Sequence, residues 1–310
     1  MRRQYVRADV FTSSRFEGNP VAVVLEADEL STRQMQSIAN EFSCAETAFV
    51  VLGADVNAAV QIRIFTPTYE IPFAIHPVIA TAFVLATQAE KFGVNSPDQM
   101  RLSLKSGEIA VRILRTALEV TGAELNLVES FSLYSKVSAQ AAALCLSLSP
   151  KDIKTLVHAP QVASSGWPYL IVELATREAL RACIPNQSGF KALLPLDGAT
   201  SIYAYTRDIT RCEHPTNLQA RVFTEQFLED SFVGEAATAA AGLLTTAEGA
   251  QELSLRIGQG TDMGRPSQFF MRVHVNAEEL KVDLGGNCIE VLEGTFTLIG
   301  DAIKPDPGRR

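Results

Sequence analysis

The stretch IRIFTPTYEIPFAIHPVIATAFVLAT, Ile62–Thr87, returns later in the chain as ARVFTEQFLEDSFVGEAATAAAGLLTT, Ala220–Thr246. With one gap opposite Leu228 the two copies align over 26 pairs, nine of them identical: Arg63/Arg221, Phe65/Phe223, Thr66/Thr224, Glu70/Glu229, Phe73/Phe232, Ala80/Ala239, Ala82/Ala241, Leu85/Leu244 and Thr87/Thr246. Chance supplies about two such identities. Each copy reads as a β-rich strand, an acidic loop and an apolar helix rich in small residues. No charged residue occurs from Val78 to Ala86 or from Ala236 to Leu244. A helix apolar all round has to be enclosed by protein, because no face of it tolerates water. The flanking strands supply the enclosure. The expected architecture is therefore α+β, with two pseudo-symmetric halves, each a curved, barrel-like sheet around a central apolar helix. The halves are expected at residues 1–120 and 121–310, joined near Glu119–Ser132, with C-terminal strands free to return to the first half and residues 301–310 reading as a frayed tail.

The rest of the chain fits a soluble globular protein. It has 310 residues, 47% apolar and 20% charged, with 27 Lys and Arg against 35 Asp and Glu for a formal net charge of −8. An acidic chain offers no electrostatic footprint for nucleic acid or an anionic membrane surface. Its apolar runs, about ten residues each, are half of what a bilayer crossing needs, and MRRQYVRADVF lacks the apolar stretch of a secretory signal. Cytoplasmic residence is the expectation. The five cysteines (Cys44, Cys145, Cys183, Cys212, Cys288) are scattered without metal-ligand spacing, so they read as free core thiols and no metal site is expected.

Outward from the repeat, Gly18-Asn19-Pro20 is turn chemistry before a strand, Val21–Leu25. Ser31 is placed to cap a helix whose apolar positions are Met35, Ile38, Ala39 and Phe42. Thr47–Val51 and Gln61–Thr66 read as strands, which leaves Glu46 at a helix-to-strand junction. The two central helices start at Ile75-His76-Pro77 and at Gly234-Glu235-Ala236, and the repeat pairs His76 with Glu235. If the halves face each other, two sets of free amides and two positive dipole ends converge on one cleft.

In this order and spacing the motifs resemble the phenazine-biosynthesis PhzF-like family, within the diaminopimelate-epimerase-like fold. They run from Asp9-Val10-Phe11-Thr12 and Gly18-Asn19-Pro20 through Ala45–Val50, Arg63–Pro67 and Glu70–Pro77. They continue through Glu229-Asp230 to Gln259-Gly260 and Met263-Gly264-Arg265-Pro266-Ser267. The resemblance implies two halves with the active site between them and a cofactor-independent isomerase that moves a proton on a small, cyclic or unsaturated metabolite of secondary metabolism. It implies that Glu46 shuttles the proton, that His76 and Asp230 assist, and that Asn19 belongs to the site. A closed cleft suits a carboxylate base. Departures fall in the contact shell: Ile75 stands for the family's glycine, Glu235 for its serine and Ala45 for the serine beside the base. Ile75, Gly234 and Glu235 are accordingly expected to contact substrate. A thiol-based racemase is disfavoured, since neither helix start carries a cysteine. Two other readings remain open: a lyase or ring-forming enzyme using Glu46 and Glu235 as an acid/base pair, and a catalytically silent relative that binds a metabolite or protein. The expected partner is a small molecule, with a homodimer as the assembly.

Overall fold

In a computed structural model of the chain, which describes residues 2–51, 59–91, 96–117, 119–210, 216–230, 232–276 and 279–298, both copies of the repeat fold alike. The first gives strands Val60–Phe65 and Glu70–Ile71 and the helix Ile75–Lys91; the second gives Leu218–Phe223, Glu229–Asp230 and the helix Gly234–Ala247. Ile75 to Val84 and Ala236 to Thr245 are buried without a break, as two apolar helices inside sheets require. Their hydroxyls turn back on the helix: Thr81 Oγ1 donates to the Pro77 carbonyl (2.7 Å), Thr238 to Gly234 (2.9 Å) and Thr245 to Ala241 (2.7 Å). Threonine can thus be buried here without an orphaned hydroxyl.

Eight strands close around the first helix, in the order 2–10, 19–24, 46–51, 60–65, 99–104, 107–115, 120–130 and 279–297, the last pairing back with the first. The second helix is wrapped by 279–297 again, then by 267–276, 252–259, 218–223, 202–206, 168–174, 161–164 and 132–136. The same pairings are parallel in both halves: 19–24 with 46–51 and 60–65 with 99–104, then 168–174 with 202–206 and 218–223 with 252–259. A parallel pair needs a crossover connection. In each half one crossover is the central helix, and the other covers the outer face of the sheet, as Thr32–Phe42 in the first half and Arg177–Ala182 with Gln187–Leu193 in the second. The two pseudo-symmetric, barrel-like halves read from the repeat are thus present.

Several identities of the repeat turn out to be a structural clasp. Arg63 holds Glu70 through two bonds (2.8 and 2.9 Å) and lies over the Phe65 ring at 5.1 Å. Arg221 holds Glu229 in the same way (2.9 and 2.7 Å) over Phe223 at 4.8 Å. Each clasp pins the acidic segment to its strand and so fixes where the central helix begins.

The stretch expected to join the halves is itself a strand, Val120–Ser130, that pairs with 107–115 of the first ring and along its length with 279–297. Strand Glu279–Thr297 pairs with 267–276 near its start and with 2–10 near its end. The two long strands lie backbone against backbone where Gly122 faces Asn287: a Cβ on Gly122 falls 2.1 Å from the carbonyl oxygen of the preceding Gly286. Only glycine fits there. One apolar core runs through both halves, and smaller cores sit beneath the outer helices. On the outside of the first half, Ser31 caps its helix as expected, with Gln34 reaching back to complete a capping box. No helix among the described residues is long and apolar enough to cross a membrane.

Candidate active site

Glu46 opens the strand Glu46–Val51 and lies in register with Val21; His76 is the second residue of the first central helix. His76 Nε2 and Glu46 Oε2 share a hydrogen bond, with the two side chains only 8% and 17% exposed. The second half reaches this pair. Phe232, just ahead of the second helix, meets the His76 ring edge-on at 5.7 Å, and it packs on Phe11 (4.4 Å) and Phe269 (5.1 Å). Phe11 and Phe269 touch each other as well, at 5.4 Å. Phe232 thus covers the His76 ring and is itself backed by Phe11 and Phe269, from two distant stretches of the chain.

Ile75, expected to contact substrate, is buried in the core, and its Cδ1 lies 2.6 Å from where a Cβ on Gly234 falls. The two helix starts therefore meet at Ile75 and Gly234, the branched side chain of one filling the space left by the glycine of the other. Asn19 is buried at the start of its strand, opposite Val10. Asp230 is placed by its backbone, which pairs with Val222; its side chain lies outside the described residues, as do Cys212 and residues 301–310. The thiols of Cys44, Cys145, Cys183 and Cys288 are free and buried.

Glu235 is open to solvent, with its backbone carbonyl held by Ser165 Oγ at 2.9 Å. Protein crowding around its carboxylate nevertheless pushes its pKa up. Its charged neighbour is Glu129 of the shared strand, whose pKa is raised by burial and further by the Glu235 charge. Nothing in the sequence pointed to Glu129, because its approach to Glu235 exists only once the strand 120–130 runs between the halves.

The turn carrying Asn19 is locked from the far end of the chain. Arg265 donates through Nε to the Gly18 carbonyl (3.0 Å), and through Nη2 to the Glu17 carbonyl (2.9 Å) and to Asp9 (2.7 Å). The Gly18 amide donates to the Pro266 carbonyl at 3.0 Å, and Gly18 itself takes φ +63°. Asp9 is buried, and burial raises its pKa against the lowering pull of the Phe16 amide and Arg265. Asp9 and Arg265 were legible as members of motifs, though not as partners: 256 residues separate them.

With this geometry in view, comparison with known proteins gives a consistent result. The family model described as phenazine biosynthesis-like protein matches residues 8–294. A trans-2,3-dihydro-3-hydroxyanthranilate isomerase of Pseudomonas chlororaphis is 31% identical over 95% of this chain and 99% of its own. An uncharacterized isomerase of Mesorhizobium japonicum is 32% identical over 94% and 98%. Among solved structures, a PhzF-family phenazine biosynthesis protein of Bacillus anthracis superposes with a TM-score of 0.80 at 21% identity, over 96% of this chain and 100% of that one. A hydroxyproline epimerase of Agrobacterium vitis shares the fold at a TM-score of 0.55 and 10% identity, over 95% and 91%. The chain belongs to the phenazine biosynthesis-like protein family and is an isomerase.

Proposed function

We propose that this isomerase moves a proton within a small cyclic, unsaturated carboxylate, of the dihydro-hydroxyanthranilate type, without a cofactor. The observation that carries the reading is the part-buried Glu46–His76 pair, whose histidine is covered by a ring from the opposite half. Taking a proton from carbon near neutral pH needs a positioned base and a group that holds the charge left behind. Glu46 is the base: it takes the proton from one carbon and returns it to another. His76 orients the Glu46 carboxylate by donating from Nε2 to Oε2. The other carboxylate oxygen, Oε1, takes the proton from carbon and returns it, so the shared hydrogen bond keeps its direction throughout and no further proton has to move. The first-turn amides of the central helix face developing negative charge with the favourable end of the helix dipole. Asp230 serves from the second half as a further proton carrier or substrate contact, and Asn19 lines the same cleft.

The paired-carboxylate alternative is supported less well, since Glu46 bonds to His76 and the neighbouring charge of Glu235 is Glu129. Turnover of trans-2,3-dihydro-3-hydroxyanthranilate, followed by the change in ultraviolet absorbance of its diene, tests the substrate. Glu46→Gln is expected to lower kcat by about 10²–10⁴-fold while leaving the melting temperature within a few degrees. A variant retaining wild-type turnover removes Glu46 from the mechanism. Reaction in deuterated water is expected to leave deuterium on a product carbon.

A further inference from the structure

The second half carries a buried polar pair that the mechanism does not use. Gln259 and Ser267 face each other in register across antiparallel strands, and both side chains are fully buried. Among the described residues, neither Nε2 nor Oε1 of Gln259 nor Oγ of Ser267 has a hydrogen-bond partner. Leaving such atoms unpaired costs stability, so their presence calls for an explanation. The fold itself does not require them. Strand 99–104 of the first half occupies the place of 252–259, with Val60↔Leu102 answering Leu218↔Ile257, and two residues further on the counterpart of Gln259 is Leu104, facing Gly107. An apolar side chain serves at that place.

The pair also stands beside the site. Phe269, two residues after Ser267 on the same face of the strand, packs against Phe232 and Phe11, and Phe232 lies on His76. Pro266, immediately before Ser267, accepts the amide of Gly18 beside Asn19. The neighbours on the inward face are Ala220, Ile257 and Phe269, none of them charged. An ionised group is costly in such surroundings. The amide and the hydroxyl offer N–H and O–H donors and one carbonyl acceptor, and a neutral hydroxyl, with two lone pairs and one proton, answers all three.

We propose that Gln259 and Ser267 are specificity-determining residues that bind a hydroxyl substituent of the substrate ring; this rests on the substrate class proposed above. The test is calorimetric titration of the full chain with 3-hydroxyanthranilate and with anthranilate, which differ only in that hydroxyl and need no turnover. Wild type is expected to bind the hydroxylated compound at least about tenfold more tightly, and Gln259→Leu and Ser267→Ala to lose that preference while still binding anthranilate. Without ligand, Gln259→Leu is expected to melt at a higher temperature, because two unpartnered buried atoms are removed. Equal wild-type affinities overturn the inference while leaving the substrate class standing. A preference retained in both variants, or a lower melting temperature in Gln259→Leu, assigns the pair to structure and overturns it too. Wild type binding neither compound overturns the substrate class and this inference together.

Discussion

Glu46 and His76 are 30 residues apart in sequence, and the bond between them is the smallest unit of the proposed mechanism. The sequence placed each at an element boundary, but their partnership was legible only through resemblance, because a strand start and a helix start carry no mark of facing each other. Ile75, a branched residue in place of a glycine, read as a substrate contact from the sequence; what the sequence did not show is that its side chain fills the gap beside Gly234. Glu235 offers a test at this scale. Folding raises its pKa, so the folded state favours the protonated carboxyl, and ionisation at neutral pH works against folding. Glu235→Gln is therefore expected to raise the melting temperature at pH 7, the more so because Glu129 loses a repelling neighbour. The gain should shrink as pH falls through the raised folded-state value and vanish below the ordinary 4.5, where both states are protonated. Thermal melts of the two proteins between pH 3.5 and 8 read this directly, and a gain that persists at the acid end contradicts the assignment.

Among elements, the central helices were the most legible, since an uncharged run of small and branched residues has no stable place except inside a sheet. The repeat's identical Arg, Phe and Glu positions were legible as a pattern but not as a purpose. Structure shows them as two clasps of unequal burden. Arg63 serves Glu70 and the Thr32 hydroxyl (3.0 Å). Arg221 serves Glu229 and also the carbonyls of Leu180, Arg181 and Cys183 (2.9–3.1 Å), which end the helix Arg177–Ala182. Its side chain is the more buried of the two, 12% against 24% exposed. Arg221→Met is expected to cost about 2–4 kcal/mol, because a buried carboxylate and a helix end both lose their donor. Arg63→Met is expected to cost about 1 kcal/mol. Urea unfolding of the two variants checks the order, and equal losses refute the account. Glu70 adds a pH signature: Arg63 holds its pKa below the ordinary carboxylate value, so that part of its stabilisation is present at neutral pH and lost on acidification.

At the scale of the whole molecule, two-fold repetition predicted two halves with C-terminal strands free to return to the first, but it did not predict which strands the halves share. The reason is physical: pairing between 120–130 and 279–297 is set by long-range register, and each strand reads on its own as an ordinary alternating segment. Because 279–297 closes the first ring against 2–10, residues 1–120 lack two of the eight strands around their helix. That fragment, expressed alone, is expected to show neither a cooperative melt nor the ellipticity of the intact half; an independently folded fragment contradicts the closure described above.

A ribosome makes Arg2 long before Thr297, yet the two pair with each other. One edge of strand 2–10 therefore stays unpaired until 279–297 has been made, and an unpaired edge is a place where chains stick to one another. The order of the strands thus makes the interval before 279–297 emerges the time when this edge is most exposed to aggregation.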